Sequence, residues 1–154
     1  RDLHSFPTRR SSDLNRSNIK VSGRTEGRIN KGFLVFLGVS DQDDEQVADK
    51  MVGKLIKMRI FTDNEGKTNL SLKDVGGELL IISQFTLYAN CEKGNRPSFT
   101  DVGSPEHANA LYKYVVAKCM EEVDVVEQGV FGADMKVELL NDGPFTIVLD
   151  SNNL

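Results

Sequence analysis

The chain has few of the side chains that hydrolases and metalloenzymes commonly use for catalysis. Its 154 residues include two histidines, His4 and His107, and two cysteines, Cys91 and Cys119. The cysteines form no C-x-x-C pair, so the common zinc and redox motifs are absent and a reducing compartment is the simpler interpretation. A multi-histidine metal site is not available, and a catalytic histidine would have to be His107. We therefore expect chemistry that does not rely on imidazole and that needs neither a metal nor another cofactor.

Long apolar runs and an excess of positive charge are also missing. No uninterrupted apolar segment approaches the ~20 residues of a membrane helix, so we expect no membrane span. With 19 basic and 23 acidic residues, the formal net charge is −4. This balance argues against non-specific coating of nucleic acid, which needs a basic surface, but it is compatible with a local basic rim around one RNA end. The length and a hydrophobic content of 39% suit one globular domain.

The first fourteen residues do not read as part of a fold. Residues 1–14 show neither the alternation of a strand nor the period of a helix, and they lack the apolar segment of a signal peptide. Their arginines and serines would suit a transit peptide. A sharper interpretation is that residues 4–14 resemble a translated sequencing-library adaptor. We therefore expect an artefactual tail over residues 1–14 and the folded domain over residues 15–154.

The remaining sequence alternates between predicted strands and predicted helices. An acidic cluster at 41–45 precedes one amphipathic helix, and Ser104 followed by Pro105 is typical of the start of a second. The unbroken apolar first half of the strongest strand, 78–87, predicts burial on both faces. Hydrophobic patterning predicts the strands at residues 19–22, 32–39, 59–62, 78–87, 123–126, 135–139 and 145–149. This order predicts a mixed α/β or α+β domain with mostly antiparallel connections.

Polar residues at the end of the strongest strand are candidates for binding a ligand. On a continuous strand, Gln84 and Thr86 would project from the same face, opposite to Ser83 and Phe85. Polar groups at the end of a buried strand need hydrogen-bond partners, which a ligand could supply. The pattern by itself favours the simpler interpretation, in which the strand emerges into solvent.

Three loops have the same ambiguity. The Asn-Asp-Gly-Pro segment at 141–144 is a hairpin turn signal, and a cis bond between Gly143 and Pro144 is possible but uncommon. The small residues at 129–133 indicate a bulge or turn, or a close backbone approach to a ligand. Lys93 and Arg96 lie in a polar loop that is either solvated or in contact with phosphate.

Together these segments form a specific pattern. SQFTL at 83–87 followed by NDGPFT at 141–146 resembles the paired signature of the D-aminoacyl-tRNA deacylases. Further segments occur in the same order as in that family: RIF at 59–61, NLSL at 69–72, GNRPSF at 94–99 and FGADM at 131–135. The resemblance extends from about Asn15 to Ser151.

The resemblance implies a fold, an activity and an assembly. The fold would be a single-domain layered sandwich with a curved, barrel-like, mostly antiparallel sheet and two main helices. The enzyme would be a cytoplasmic homodimer that hydrolyses the ester between a D-amino acid and the 3′ adenosine of tRNA. It would also accept glycine mischarged on alanine tRNA, would reject L-aminoacyl-tRNA and would need no metal.

The resemblance also assigns residues. Ser83, Gln84, Phe85 and Thr86 would form the catalytic segment, with backbone N–H groups near Phe85 and Thr86 as candidates for the oxyanion site. The terminal ribose 2′-hydroxyl would assist the attack on the ester. The pair Gly143 and Pro144 would be cis and would enter the partner subunit's site to select chirality. The substrate pocket would comprise Phe131, Gly132, Ala133 and Met135, with RNA contacts at Lys93 and Arg96.

The chain departs from the family at its start, which leaves alternatives open. A family arginine that helps to hold the Gly-Pro loop falls at Asp13 here, which would reverse a charge beside the site. One alternative is therefore a catalytically silent, dimeric domain that binds the tRNA 3′ end. Another is a small interaction domain unrelated to tRNA.

Overall fold

The computed structural model describes residues 17–21, 24–142 and 145–154. Two helices lie in this part of the chain, α1 over Glu45–Lys57 and α2 over Pro105–Glu122. The strands are β1 Ser17–Val21, β2 Arg24–Ile29, β3 Gly32–Leu37, β4 Phe61–Thr62, β5 Thr68–Leu70, β6 Glu78–Ser83, β7 Val126–Gln128 and β8 Met135–Leu139. The predicted tail, residues 1–14, lies outside the described residues.

The central sheet is parallel. Its strand order is β3-β6-β7, with Leu37 opposite Ser83 and Ile81 opposite Gln128. Helix α1 lies in the connection between β3 and β6, and α2 lies in the connection between β6 and β7. A parallel pair needs such a crossover, because the chain must return to the starting edge before the next strand begins.

The expected sheet needs correction in two respects. Antiparallel pairing holds for the second sheet, β2-β1-β8, and for the pair β4-β5, but not for the central sheet. The expected barrel-like closure is not present among the described strands, which form separate open sheets. The physical reason is that a helix follows both β3 and β6, so neither strand can fold back as a hairpin. The mixed α/β class and the two main helices are confirmed.

Strand β6 is buried from both sides, as its apolar run predicts. Leu79 and Ile81 pack into a large core shared with the helices, whereas Leu80 and Ile82 pack into a smaller core with Ile29 of β2. All four β6 side chains are at most 1% exposed. The molecule is therefore layered, with the parallel sheet between the helices and the antiparallel sheet.

The helix starts agree with the sequence signals. Asp44 caps α1 by accepting a hydrogen bond from the N–H of Val47 at 2.9 Å. Ser104 caps α2, and Pro105 is its first residue. Capping matters because the first N–H groups of a helix have no partner inside it. Among the described residues, neither helix is both long and apolar enough to cross a membrane.

One predicted strand is wrong, and others are shorter than predicted or displaced along the chain. Residues 145–150 form no strand, although Phe145 and Ile147 alternate with polar residues. Both side chains are more than 40% exposed, so the apolar alternation has no core to pack against in this chain. The strand predicted over 32–39 ends at Leu37, and the one predicted over 123–126 lies at Val126–Gln128.

Gly32 is required by the pairing of β3 with β6. A Cβ atom added there would lie 1.8 Å from the carbonyl oxygen of Glu78, its partner in the sheet. We predict that Gly32→Ala lowers the free energy of unfolding by about 2 kcal/mol or more, because the strands must separate. Urea unfolding followed by circular dichroism measures the change.

Gly53 in α1 provides the matched control. A Cβ added there meets nothing within 4 Å. Gly53→Ala is therefore expected to stabilise the protein by about 0.5–1 kcal/mol, because alanine favours the helix. Equal effects of the two substitutions would contradict the close approach at Gly32.

Candidate active site at the carboxyl edge of the central sheet

Three loops meet at the carboxyl edge of the parallel sheet. Parallel pairing brings the ends of β3, β6 and β7 to one side. The segment after β6 begins at Gln84, and the segment after β7 begins at Gly129. In open α/β sheets this edge is where ligands usually bind. The fold therefore brings the predicted segments 83–87 and 131–133 to the same side of the molecule.

The segment 83–87 is a strand end followed by a turn, not the continuous strand that the pattern predicted. Strand β6 ends at Ser83, and the N–H of Gln84 donates to the carbonyl of Leu37 at 2.8 Å. The residues Phe85–Tyr88 form a short 3₁₀ turn. Beyond Ser83 neither neighbouring strand continues the pairing, so the backbone closes local hydrogen bonds instead.

Gln84 and Thr86 nevertheless meet as expected. The side-chain amide of Gln84 donates to the Thr86 hydroxyl at 2.5 Å. The turn, and not the alternation of a strand, brings the two side chains together. Phe85 and Leu87 on this turn are 56% and 57% exposed. An apolar surface of this kind beside a polar pair is typical of a surface that receives another molecule.

Phe99 connects the loop over 89–99 to the turn. Its ring contacts the Phe85 ring edge to face, with centroids 5.2 Å apart. A two-residue bridge between Asn90 and Ser98 closes the base of this loop. Phe99 was absent from our predicted site residues, although an aromatic residue in an otherwise polar loop is a signal that could have identified it.

Lys93 and Arg96 lie in the loop closed by that bridge, and both are exposed. The Phe99–Phe85 contact anchors the loop beside the turn over Phe85–Tyr88. RNA contact at these two cations stays a prediction.

The predicted pocket residues 131–135 do not share one surface. The N–H of Ala133 donates to Val130 at 3.1 Å, and Gly132 has φ +76°, so the segment is a tight turn as expected. Phe131 packs against the large core, whereas Met135, in β8, packs against the small core between the sheets. The turn thus presents Phe131 toward the helices and leads Met135 away from them.

Asn141 forms hydrogen bonds with residues that follow the predicted chiral selector in the sequence. Its side-chain oxygen accepts from the N–H of Phe145 at 3.2 Å, and its amide donates to the Thr146 hydroxyl at 3.1 Å. These bonds bracket Gly143 and Pro144, which lie outside the described residues. The cis bond and the cross-subunit position stay predictions.

The titratable groups place little acid–base chemistry at this edge. His107 is the only histidine in the described part of the chain, and its Nε2 lies 2.8 Å from the backbone oxygen of Asp43. Cys119 lies near the C-terminal end of α2, away from this edge; it is fully buried, and desolvation raises the pKa of its thiol to about 11, so the thiol stays protonated at neutral pH. Burial also raises the pKa of Tyr88, at the end of the turn.

The described residues hold no group of three His, Cys, Asp or Glu side chains placed to bind a metal ion. The polar groups of the edge are instead hydroxyls, an amide and backbone N–H groups. Such groups position and polarise a substrate.

The protein is a layered α/β sandwich with a polar turn at the carboxyl edge of its parallel sheet. Comparison with known proteins identifies its family. The family D-Tyr-tRNA(Tyr) deacylase matches residues 12–150. The chain belongs to this family, as the motifs predicted. The match starts at residue 12 and so reaches into the segment that we interpret as a tail.

Curated relatives cover almost the same length. The D-aminoacyl-tRNA deacylase of Thermosipho melanesiensis is 51% identical over 142 residues, which are 92% of this chain and 95% of the relative. That of Lactobacillus helveticus is 52% identical over 137 residues, 89% of this chain and 94% of the relative.

Solved structures agree with the fold. A structure titled c-Myc DNA Unwinding Element Binding Protein superposes with a TM-score of 0.84 and 34% identity, over 89% of this chain and 93% of that one. A probable eukaryotic D-amino acid tRNA deacylase superposes with a TM-score of 0.67 over 82% and 89% of the two chains. At 20% identity, the second comparison supports the fold alone.

Proposed function

We propose that the protein hydrolyses the ester bond of D-aminoacyl-tRNA and spares L-aminoacyl-tRNA. The observation that carries the proposal is family membership across residues 12–150, together with relatives about half identical that are named D-aminoacyl-tRNA deacylase. The turn after β6 supports it, because it presents the polar pair of Gln84 and Thr86 on an open edge. Glycine mischarged on alanine tRNA is included as a substrate, since glycine has no side chain to be rejected.

The proposed chemistry draws its nucleophilic assistance from the substrate. The described side-chain hydrogen bond of His107 goes to the backbone oxygen of Asp43 and not to Thr86, and Thr86 receives its described hydrogen bond from an amide, which is not a base. In this proposal a water molecule attacks the ester carbonyl with the 2′-hydroxyl of the terminal ribose assisting, and the ribose 3′-oxygen leaves and takes up a proton to become a hydroxyl. The protein supplies position and oxyanion stabilisation.

The oxyanion donors are the backbone N–H groups of Phe85 and Thr86. The N–H groups of Leu87 and Ala89 are used inside the 3₁₀ turn. Those of Phe85 and Thr86 begin the turn, where a helical backbone offers no internal acceptor. Ser83 and Gln84 hold the polar groups of the substrate. The turn over 131–133 shapes the space for the terminal adenosine, whereas Met135 packs in the small core and is left out of this space. Lys93 and Arg96 lie near phosphates.

Chirality is selected by a rigid wall from a second subunit. In this proposal the cis pair of Gly143 and Pro144 enters the partner's site, where the Cβ atom of an L-amino acid collides with it. The functional unit is then a homodimer. Exposed apolar side chains in both segments that would meet support a homodimer. They are Phe85 and Leu87 on the turn after β6, and Phe145 and Val148 after the Gly-Pro pair, with Val148 89% exposed.

The proposed domain comprises residues 15–154, with residues 1–14 outside it, and it acts in the cytoplasm on charged tRNA. The substitution Asp13→Arg tests the boundary between residues 1–14 and the domain. A rise in activity would support our interpretation of the tail, and unchanged activity would count against it.

The central test is selective ester hydrolysis. We expect the full chain to release tyrosine from D-tyrosyl-tRNA at least about a hundredfold faster than from L-tyrosyl-tRNA. Radiolabelled or acid-gel assays follow the loss of ester, and glycyl-tRNA for alanine serves as the third substrate. Binding of the tRNA 3′ end without release would indicate the silent domain. Neither binding nor release would indicate the interaction domain.

The source of the nucleophilic assistance has its own test. D-tyrosyl-tRNA ending in 2′-deoxyadenosine is expected to react about 10²–10⁴ times more slowly, the usual contribution of such assistance. Thr86→Val keeps the shape of the side chain and removes its hydroxyl, and we expect less than about a tenfold loss. The opposite ranking, with Thr86→Val the more damaging change, would make Thr86 the nucleophile.

The selector loop is tested by Pro144→Ala. We expect the rate on L-tyrosyl-tRNA to rise about tenfold while the rate on D-tyrosyl-tRNA changes little, because the wall becomes flexible. Pro105→Ala, the same substitution at the start of α2, is the control and leaves selectivity unchanged. Unaltered selectivity in Pro144→Ala would remove this loop from the mechanism.

A further inference from the structure

One buried hydroxyl of α2 lies between the two segments that form the candidate site. The Tyr112 hydroxyl donates to the carbonyl oxygen of Ile81 in β6 at 2.6 Å. The side chain is 2% exposed. Burial raises the pKa of the phenol, while a backbone hydrogen bond from Gly129 acts in the opposite direction. The group is therefore a neutral donor and acceptor at physiological pH.

The same carbonyl marks the place where the pairing of β6 and β7 ends. Ile81 pairs with Gln128, the last residue of β7, and its oxygen also accepts the N–H of Gly129 at 3.2 Å. The Tyr112 hydroxyl thus joins a three-group cluster with Ile81 and Gly129. Ser83 lies two residues after Ile81 in the chain, and Phe131 lies two residues after Gly129.

The ring of Tyr112 acts on the second segment as well. Its centroid lies 6.3 Å from that of Phe131, with the planes inclined by 44°. Phe131 is the residue before Gly132, whose φ of +76° makes the tight turn. Tyr112 therefore contacts the pocket turn through its ring and the catalytic strand through its hydroxyl.

We propose that Tyr112 is a positioning residue, which fixes the distance between the 83–86 segment and the 129–133 turn for ester hydrolysis. The inference rests on the proposed function. The Tyr112 hydroxyl bonds to the Ile81 carbonyl, which also accepts the N–H of Gly129, so both segments are held at the same position along α2. Small displacements of groups that stabilise a transition state cost rate more than binding, since the substrate itself still fits.

The test is Tyr112→Phe in the full chain, with Tyr114→Phe as the matched control. Both substitutions remove one phenolic hydroxyl from α2, but the Tyr114 hydroxyl donates to Asp49 of α1 at 2.8 Å, away from the carboxyl edge. For Tyr112→Phe we expect kcat on D-tyrosyl-tRNA to fall about tenfold with KM nearly unchanged. For Tyr114→Phe we expect both constants to stay within about twofold.

Amide hydrogen exchange provides a readout that a general loss of stability would not reproduce. In Tyr112→Phe we expect faster exchange at Gly129 and in the following turn, with exchange in β3 unchanged. Urea unfolding gives the folded fraction, by which each kcat is divided, so that a weakened fold is not mistaken for a slower reaction.

The outcomes separate the two proposals. An active parent protein whose Tyr112→Phe variant shows the parental kcat per folded molecule would overturn the positioning role alone. A rise in KM with unchanged kcat would also overturn it. A parent protein that hydrolyses no D-aminoacyl-tRNA would overturn the proposed function, and the inference with it.

Discussion

The structure depends on the burial of one strand from both sides. Leu79 and Ile81 of β6 face the helices, while Leu80 and Ile82 face the second sheet. A strand can bury both faces only if separate layers cover it. The two helices and the antiparallel sheet β2-β1-β8 are those layers, so their positions follow from β6. Gly32 lets β3 approach this strand closely enough to pair with it.

The candidate site arises where this double burial stops. Beyond Ser83 the neighbouring strands no longer pair with β6, and the backbone changes from sheet hydrogen bonds to a local turn. Its side chains are no longer buried, and the apolar Phe85 and Leu87 are exposed beside the polar pair of Gln84 and Thr86, because no second layer covers them. The rigid strand fixes where the turn begins, and the open edge leaves its side chains accessible. A turn whose start is fixed by a buried strand, and whose side chains are exposed, suits a site that receives the end of a large substrate.

The chemistry available at that edge is mainly positional. The imidazole of His107 bonds to the backbone oxygen of Asp43, and the Cys119 thiol, near the other end of α2, is buried with a raised pKa. A substrate that carries its own hydroxyl to assist the attacking water matches such a site better than a reaction that must generate a nucleophile on the protein. Precision then depends on groups that hold the loops, and a buried hydroxyl such as that of Tyr112 can serve this purpose without touching the substrate.

Much of the architecture was accessible from the sequence, because its causes are local. The caps at Asp44 and Ser104, the period of the helices and the apolar run of β6 depend on neighbouring residues along the chain. The family motifs were likewise readable. The meeting of Gln84 with Thr86 was expected, although for a reason that proved wrong.

What only the tertiary structure decided depends on which segments become neighbours. The parallel central sheet, the end of β6 at Ser83 and the irregular backbone at 145–150 follow from where partner strands begin and end. The contact of Phe99 with Phe85 and that of Tyr112 with Ile81 join residues 14 and 31 positions apart in the sequence. Local patterns cannot specify such pairs, because their free energy exists only once the layers have packed.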